Sequence, residues 1–356
     1  MTIMWVNLSI AYLFSFLARY YSTFDIEQYK GYKPNKLYIF FLIATLVIVS
    51  GLRSNIGDTY AYKHSYSINK YTWEAIDYSG DFGFNIIQLL LQKISSDPQL
   101  LIFSTALITN ILIIITLIKY SKMIELAIFV YITSGMFTTS MNGIRQYLAA
   151  AFVFIGTNYI VKGDFKKYFL LILLASTIHK SALVLIPIYF IARREAWTKV
   201  TIILLAFSVF IVLGFNMFSE LLFTAIDDTQ YGHYSTFTEG GASKIRILVN
   251  LVPILIAFLG REKLKRLWPQ SDYIVNMSII SLVFIVIASQ NWIFARFNIY
   301  FGLYNLILIS WIVKLFKHNN QRLIYYGILV CYFAYFYYEH IISFGLVYKS
   351  DYINFN

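Results

Sequence analysis

Charge is scarce in this chain. Charged residues fill 13% of its 356 positions, against about 25% in an average soluble domain. That is too few to solvate either a globular surface of this size or a disordered coil. The single cysteine, Cys331, rules out an internal disulfide framework and leaves the redox compartment unmarked. Five prolines and 17 glycines are too few for a collagen-like or low-complexity chain. Several motifs are also missing. There is no GxxxxGK[ST] phosphate loop and no GxGxxG turn after a strand, so nothing signals nucleotide hydrolysis. The five histidines show no HExxH-type metal spacing, and no Gly-x-Ser-x-Gly elbow supports a serine hydrolase.

Apolar residues dominate instead, at 59% of the chain, and the mean hydropathy is +0.64. Phenylalanine and tyrosine supply 31 and 30 positions. One soluble core cannot hide that much apolar surface, so the composition specifies an all-α polytopic integral membrane protein. Apolar stretches run over 3–18, 37–52, 100–118, 126–141, 144–161, 168–192, 200–218, 247–260, 273–289, 298–313 and 323–340. A crossing needs roughly 20 helical residues, and the pattern predicts about 10–12 transmembrane helices in a single multi-span domain over 1–356. The first stretch lacks a basic leader and a cleavage site and reads as a retained anchor.

The net charge of +11 looks like a nucleic-acid signal until its placement is examined. Six connectors, 19–36, 119–122, 162–167, 193–199, 261–266 and 314–322, hold 19 of the 29 basic residues. If all face the cytoplasm, the charge splits into about +12 inside and −1 outside, as the positive-inside rule requires. That arrangement puts both termini outside and makes 168–192 a short hairpin turning near His179-Lys180. A rival arrangement makes 84–95 a crossing and keeps only 14 basic residues inside. Two outer segments, 53–85 and 219–246, are rich in Tyr, Ser, Thr and Gly. They suit either sugar contact or an interfacial tyrosine belt.

Polar groups at helix mouths on the outer side are costly, and such groups usually have a functional partner. Arg53 follows the second apolar stretch and is followed by Asp58 and Tyr62, which suits a phosphate contact and a proton acceptor or, equally simply, an ion pair. In Asn142-Gly-Ile-Arg145-Gln146 the arginine opens a helix, where amides also favour anions; snorkelling to lipid headgroups is the alternative. His179-Lys180 sits in a stretch otherwise free of charge, and His179 suits a base at neutral pH. Arg296 stands at a further mouth. Asp58 and His179 are thus the candidate catalytic residues. Arg53, Tyr62, Asn142, Arg145, Gln146, Lys180 and Arg296 are the candidate contacts to a diphosphate-linked glycan.

These residues also carry a resemblance. GLRSNIGDTYAY at 51–62, NGIRQYLAAAF at 142–152, ASTIHKSALVLIPIYF at 175–190, PNK at 34–36 and ARFNIYF at 295–301 together resemble the EpsG family of Wzy-type polysaccharide polymerases. The resemblance implies a multi-helix architecture akin to lipid-dependent (GT-C-like) glycosyltransferases. It implies a multi-pass protein of a bacterial cytoplasmic membrane, with its active site facing outward, making exopolysaccharide of the kind that forms biofilm matrix. The donor would be an undecaprenyl-diphosphate-linked oligosaccharide, moved en bloc to a fresh lipid-linked unit. The implied partners are a flippase and a chain-length regulator of the same pathway. No metal is required if arginines neutralise the diphosphate, no cofactor is expected, and the placement of the basic residues argues against nucleic acid. A lipid-linked oligosaccharide flippase and a membrane O-acyltransferase are the rival functions. A flippase should carry charge through to the inner leaflet, whereas the unusual charges here cluster on one side.

Overall fold

The structure, a computed structural model, describes residues 2–25, 30–226 and 240–353. Every apolar run within them is helical, and the strands described are two residues each, Thr23–Phe24 paired antiparallel with Tyr32–Lys33. The helices are α1 (Thr2–Tyr20), α2 (Lys36–Gly51), α3 (Thr59–Ile68), α4 (Phe82–Gln92) and α5 (Gln99–Tyr120). A broken series follows: α6 (Ile124–Thr133), α7 (Met136–Asn142), α8 (Ile144–Ile155) and α9 (Thr157–Lys162). After it come α10 (Phe165–Ile178), α11 (Leu185–Ala192), α12 (Lys199–Leu213) and α13 (Phe215–Ile226). The last group is α14 (Lys244–Leu259), α15 (Arg261–Leu267), α16 (Ser271–Ala288), α17 (Ala295–Ile312) and α18 (His318–Phe336).

Local chemistry explains several starts and stops. Asn35, Asp164 and Ser243 each accept a bond from the first turn of the helix they precede, at 3.0, 3.1 and 3.3 Å. Helices α16 and α17 are apolar all round and buried on every face, which makes them the centre of the bundle. At the periphery Ile202, Phe210, Leu213, Leu323 and Val330 are exposed, as a lipid-facing surface should be.

Among the described residues, four helices are long and apolar enough to cross a membrane, and two bent pairs raise the number to six. This is the all-α polytopic membrane architecture expected from the sequence, although fewer of the roughly 10–12 helices read there are long and unbroken. The reason lies in breaks that hydropathy does not register. The 126–141 run bends by 55° between α6 and α7, and the 200–218 run by 94° between α12 and α13. The 144–161 run divides at Gly156, and α2 and α14 stop at 16 residues. The helix of the rival arrangement, α4, has 11 residues and is about 16 Å long, half of what a crossing needs.

Stretch 168–192 folds as a hairpin. Phe165 at the start of α10 lies 5.0 Å from both Tyr189 and Phe190 at the end of α11, ring centre to ring centre. Arg193 bonds back to the Ile160 carbonyl. Both ends of the hairpin therefore sit at one level, with His179 at the turn.

The six basic connectors converge on one end of the bundle. Lys122 bonds the Lys30 carbonyl at 2.7 Å, Lys119 bonds Asn158 at 2.7 Å, Lys265 pairs with Glu195 at 3.1 Å, and Lys263 bonds the Phe316 carbonyl at 3.0 Å. Arg19 grips Glu125 with two nitrogens at 2.7 Å each, and that carboxylate is fully buried. A two-point grip holds a buried charge well, but removing one partner strands the other. At the opposite end a C-terminal strap closes over the α2–α3 loop: Ser54 donates to the Lys349 carbonyl at 2.9 Å, Asn55 Oδ1 accepts from Lys349 at 2.7 Å, and Ser350 donates to Leu52 at 2.5 Å.

Arg19→Ala should lower stability by about 3 kcal/mol or more, because it leaves the Glu125 carboxylate buried alone. The double change Arg19→Met with Glu125→Leu should recover most of that loss. Thermal unfolding of detergent-purified protein checks both; equal losses in the two variants would refute the ion-pair account.

Candidate active site

Helix α10 ends because residue 179 turns to extended backbone (φ −153°, ψ 112°), with its N–H still bonded to Ala175. A single 3₁₀ segment, Lys180–Val184, then leads into α11. Each arm of the hairpin is about 20 Å long, so the turn stops well short of a full bilayer crossing. His179, at that turn, lines a cavity of about 480 Å³. The cavity lies at the end of the bundle opposite the basic connectors and is lined by five helices' ends and the loops between them.

The partner of His179 is Asp81. One carboxylate oxygen lies 2.9 Å from His179 Nδ1, the other accepts the Lys180 backbone N–H at 3.0 Å, and Arg145 approaches at 3.3 Å. Asp81 precedes α4 where a helix cap would stand, yet its side chain makes no cap bond; it is turned toward the hairpin instead. Gly83 makes the approach possible, since a Cβ there would overlap the Thr177 side chain of α10. Burial opposes ionisation of Asp81. The His179 bond and charge, the Lys180 amide and Arg145 outweigh it and hold the carboxyl below its ordinary value.

Arg145, in the first turn of α8, is fixed by Asp81 and by the Tyr62 hydroxyl, which accepts from its Nε at 3.3 Å. The guanidinium stands over the Tyr62 and Phe84 rings, 5.9 Å from each centre. Gln146 donates to the Arg296 carbonyl at 2.9 Å, tying α8 to the start of α17. Arg296 lies over Trp292 at 5.1 Å, and both line the cavity. Asn142 accepts the Asp58 backbone N–H at 2.9 Å and is wedged against Gly57, whose φ of +51° no side chain would tolerate there. Asp58 lines the cavity but is exposed and caps nothing. The cavity thus holds three guanidiniums, from Arg145, Arg246 and Arg296, with two carboxylates and one imidazole.

Seven of the nine residues singled out in the sequence line this cavity: Asp58, Tyr62, Asn142, Arg145, Gln146, His179 and Arg296. Two do not, and their roles are corrected. Arg53 is 1% exposed. Its three nitrogens donate to Thr59 Oγ1 at 2.9 Å, to the Ser50 carbonyl and to the Met141 carbonyl at 2.6 Å, so it ties α2, α3 and α7 together as an internal strut. Lys180 sends its ammonium to the Ser79 carbonyl, away from the cavity; its contribution is the backbone N–H offered to Asp81. Sequence reasoning missed Asp81 and Arg246. An aspartate before an apolar run reads as a helix cap, and Arg246 reads as the basic end of a polar loop. Residues 227–239 of that loop lie outside the described residues.

Among known proteins, the family model described as EpsG family matches residues 36–352. No curated protein and no solved structure matches the chain.

Two outcomes follow from these placements. Arg53→Ala should reduce the yield of folded, membrane-inserted protein by leaving three buried acceptors unbonded, while Lys180→Ala should leave yield unchanged; a normal yield of Arg53→Ala would return that arginine to the ligand-binding set. Asp81→Asn should lower stability by about 1–3 kcal/mol at neutral pH. Because the folded-state carboxyl is held below its ordinary value of 3.8, this difference is whole above that pH and shrinks as pH falls through the lowered value. Melting temperatures of the two proteins compared across pH measure it, and a difference that persists in acid contradicts the charge assignment.

Proposed function

We propose, from the premise that this chain belongs to the EpsG family, that it is an exopolysaccharide polymerase using lipid-diphosphate-linked glycans. The observation that carries the reading is the Asp81–His179 pair opening on a cavity lined by three arginines. Acceptor activation needs a base, and a leaving diphosphate needs fixed positive charge; this cavity holds both.

In the proposed step a hydroxyl of the acceptor sugar attacks the anomeric carbon of the donor glycan. The new C–O bond forms as the bond from that carbon to the diphosphate oxygen breaks, and the electron pair leaves with the lipid diphosphate. The hydroxyl proton passes to His179. Asp81 engages Nδ1, so proton exchange falls to Nε2, and the carboxylate stabilises the imidazolium that forms. Arg145 and Arg296 oppose the charge growing on the departing diphosphate. Of the two bases left open by the sequence, His179 is favoured over Asp58, because only the histidine has a buried carboxylate orienting it. Asp58 is then a contact to sugar hydroxyls at the rim.

Orientation follows from the convergence of the basic connectors. With that end in the cytoplasm, the cavity faces outward, where a flippase has delivered the donor lipid. A flippase role for this chain itself is less well supported, because the arginines of the cavity have no counterpart track toward the basic end among the residues lining it.

His179→Ala and Arg145→Ala should abolish polymer in a reconstituted assay with lipid-diphosphate-linked repeat units, and Asp81→Asn should slow it about 10²-fold or more. All three should insert normally. Cells lacking the protein should accumulate single lipid-linked units at the outer leaflet; inward-trapped units would indicate a flippase, and full-length unmodified polymer an acyltransferase. Normal polymer from His179→Ala would overturn the base assignment.

A further inference from the structure

A second, smaller chamber lies deeper in the bundle, and the function just described does not use it. Its volume is about 140 Å³. It adjoins the larger cavity, with Thr139, Arg246, Ala295, Ile299 and Phe344 forming the wall common to both. Behind that wall the lining is unlike the arginine-rich cavity. It consists of the amides of Asn250, Asn298 and Asn305, the rings of Tyr147, Tyr332 and His340, and an aliphatic floor that includes Ile309.

The charges around this chamber are already spent. Arg246 donates through Nε to Glu339 at 3.0 Å and through a second nitrogen to the same oxygen, and Glu339 is buried. The amides are held in one arrangement: Asn305 donates to Asn250 at 2.9 Å and to Ser281 at 3.0 Å, while Ser281 donates to Asn298 at 2.5 Å. Yet three buried polar atoms of lining residues have no protein partner, Asn305 Oδ1, His340 Nε2 and Ser134 Oγ. A buried polar atom is normally satisfied, so three around one chamber point to a ligand that supplies hydroxyl groups. Neutral amides and hydroxyls interleaved with ring faces suit a polyhydroxylated ring: hydroxyls bond the amides and C–H faces lie on the aromatics. An anion finds no unspent cation there, and an alkyl chain would leave all three atoms unbonded.

We propose that this inner chamber is a subsite for one neutral sugar residue, the end unit of a glycan whose reacting portion occupies the larger cavity. The assignment to a glycan end rests on the polymerase reading; the affinity of the chamber for a neutral sugar does not. Asn305 is then a specificity-determining residue: its fixed amide selects the hydroxyl pattern of the unit that enters, through hydrogen bonds that a differently configured sugar leaves unmade.

The test uses detergent-purified full-length protein and a panel of methyl glycosides and N-acetyl methyl glycosides of the common hexoses, with inorganic pyrophosphate as the probe of the larger cavity. Wild type should bind at least one glycoside at about millimolar Kd and discriminate among epimers. Asn305→Leu, which removes the hydrogen-bonding amide, and Ile309→Phe, which fills the floor, should each weaken that glycoside tenfold or more without changing pyrophosphate binding. In polymerisation, Asn305→Leu should raise the KM for the glycan more than it lowers kcat. If Asn305→Leu loses pyrophosphate binding too, Ile309→Phe decides the outcome. No glycoside binding, or binding indifferent to Ile309→Phe, overturns the subsite. Asp81→Asn should keep glycoside binding while polymerisation fails; normal polymerisation by that variant would defeat the functional reading and leave the subsite standing.

Discussion

One carboxylate organises the cavity end of this bundle. Asp81 meets His179 and Lys180 at the turn of the hairpin and Arg145 at the start of α8. Three segments distant in sequence are thereby set against one another. A lone carboxylate, a lone imidazole or a lone guanidinium would each be costly there. Together they are mutually satisfied, and the imidazole is held in one orientation. The hairpin has its turn at His179 because the backbone leaves the helix there, and the amide that this frees at Lys180 is one of the groups the carboxylate takes up.

Around that centre the structure separates tasks that look alike in the sequence. Arg53, Arg145 and Arg296 all stand at helix mouths, and sequence reasoning groups them. Arg53 spends its nitrogens on protein carbonyls and a threonine away from the cavity, while Arg145 meets Asp81 and Tyr62 and Arg296 lies over Trp292, all at the cavity lining. Position along a helix is a local property and is readable from a sequence. Whether a guanidinium finds acceptors in its own protein depends on which distant backbone passes nearby, and no spacing rule reports that. The same distinction explains Asp81. Its sequence setting is that of a cap, and only the approach of α4 to α10 at Gly83 redirects it.

The large-scale features were legible for the opposite reason. Apolar composition, the clustering of basic residues and the isolation of His179-Lys180 in an uncharged stretch are properties of averages or of exceptions to them, and the helical bundle, the convergent basic end and the hairpin at 168–192 all follow. The lengths of the spans were not legible. Breaks at Gly135, Gly156 and Gly214 interrupt apolar runs without lowering their hydropathy, so the chain builds bent and partial helices where a count of apolar residues expects straight ones. Those breaks supply free helix ends inside the bundle, and the cavity is assembled from such ends.

The strap that closes over the α2–α3 loop has a consequence for the order of assembly. The loop that positions Arg53 and Asp58 precedes its partners in the strap by 292 to 294 residues, since Asn55 bonds to Val347 and Lys349. Contacts that join such distant parts of a chain close late, because the intervening loop entropy is lost only when both ends are present. The mouth of the cavity is therefore completed only after residue 350 has left the ribosome. The two ends of that closure are separated by nearly the whole described chain, so a chain that has already formed its first helices still lacks the finished mouth.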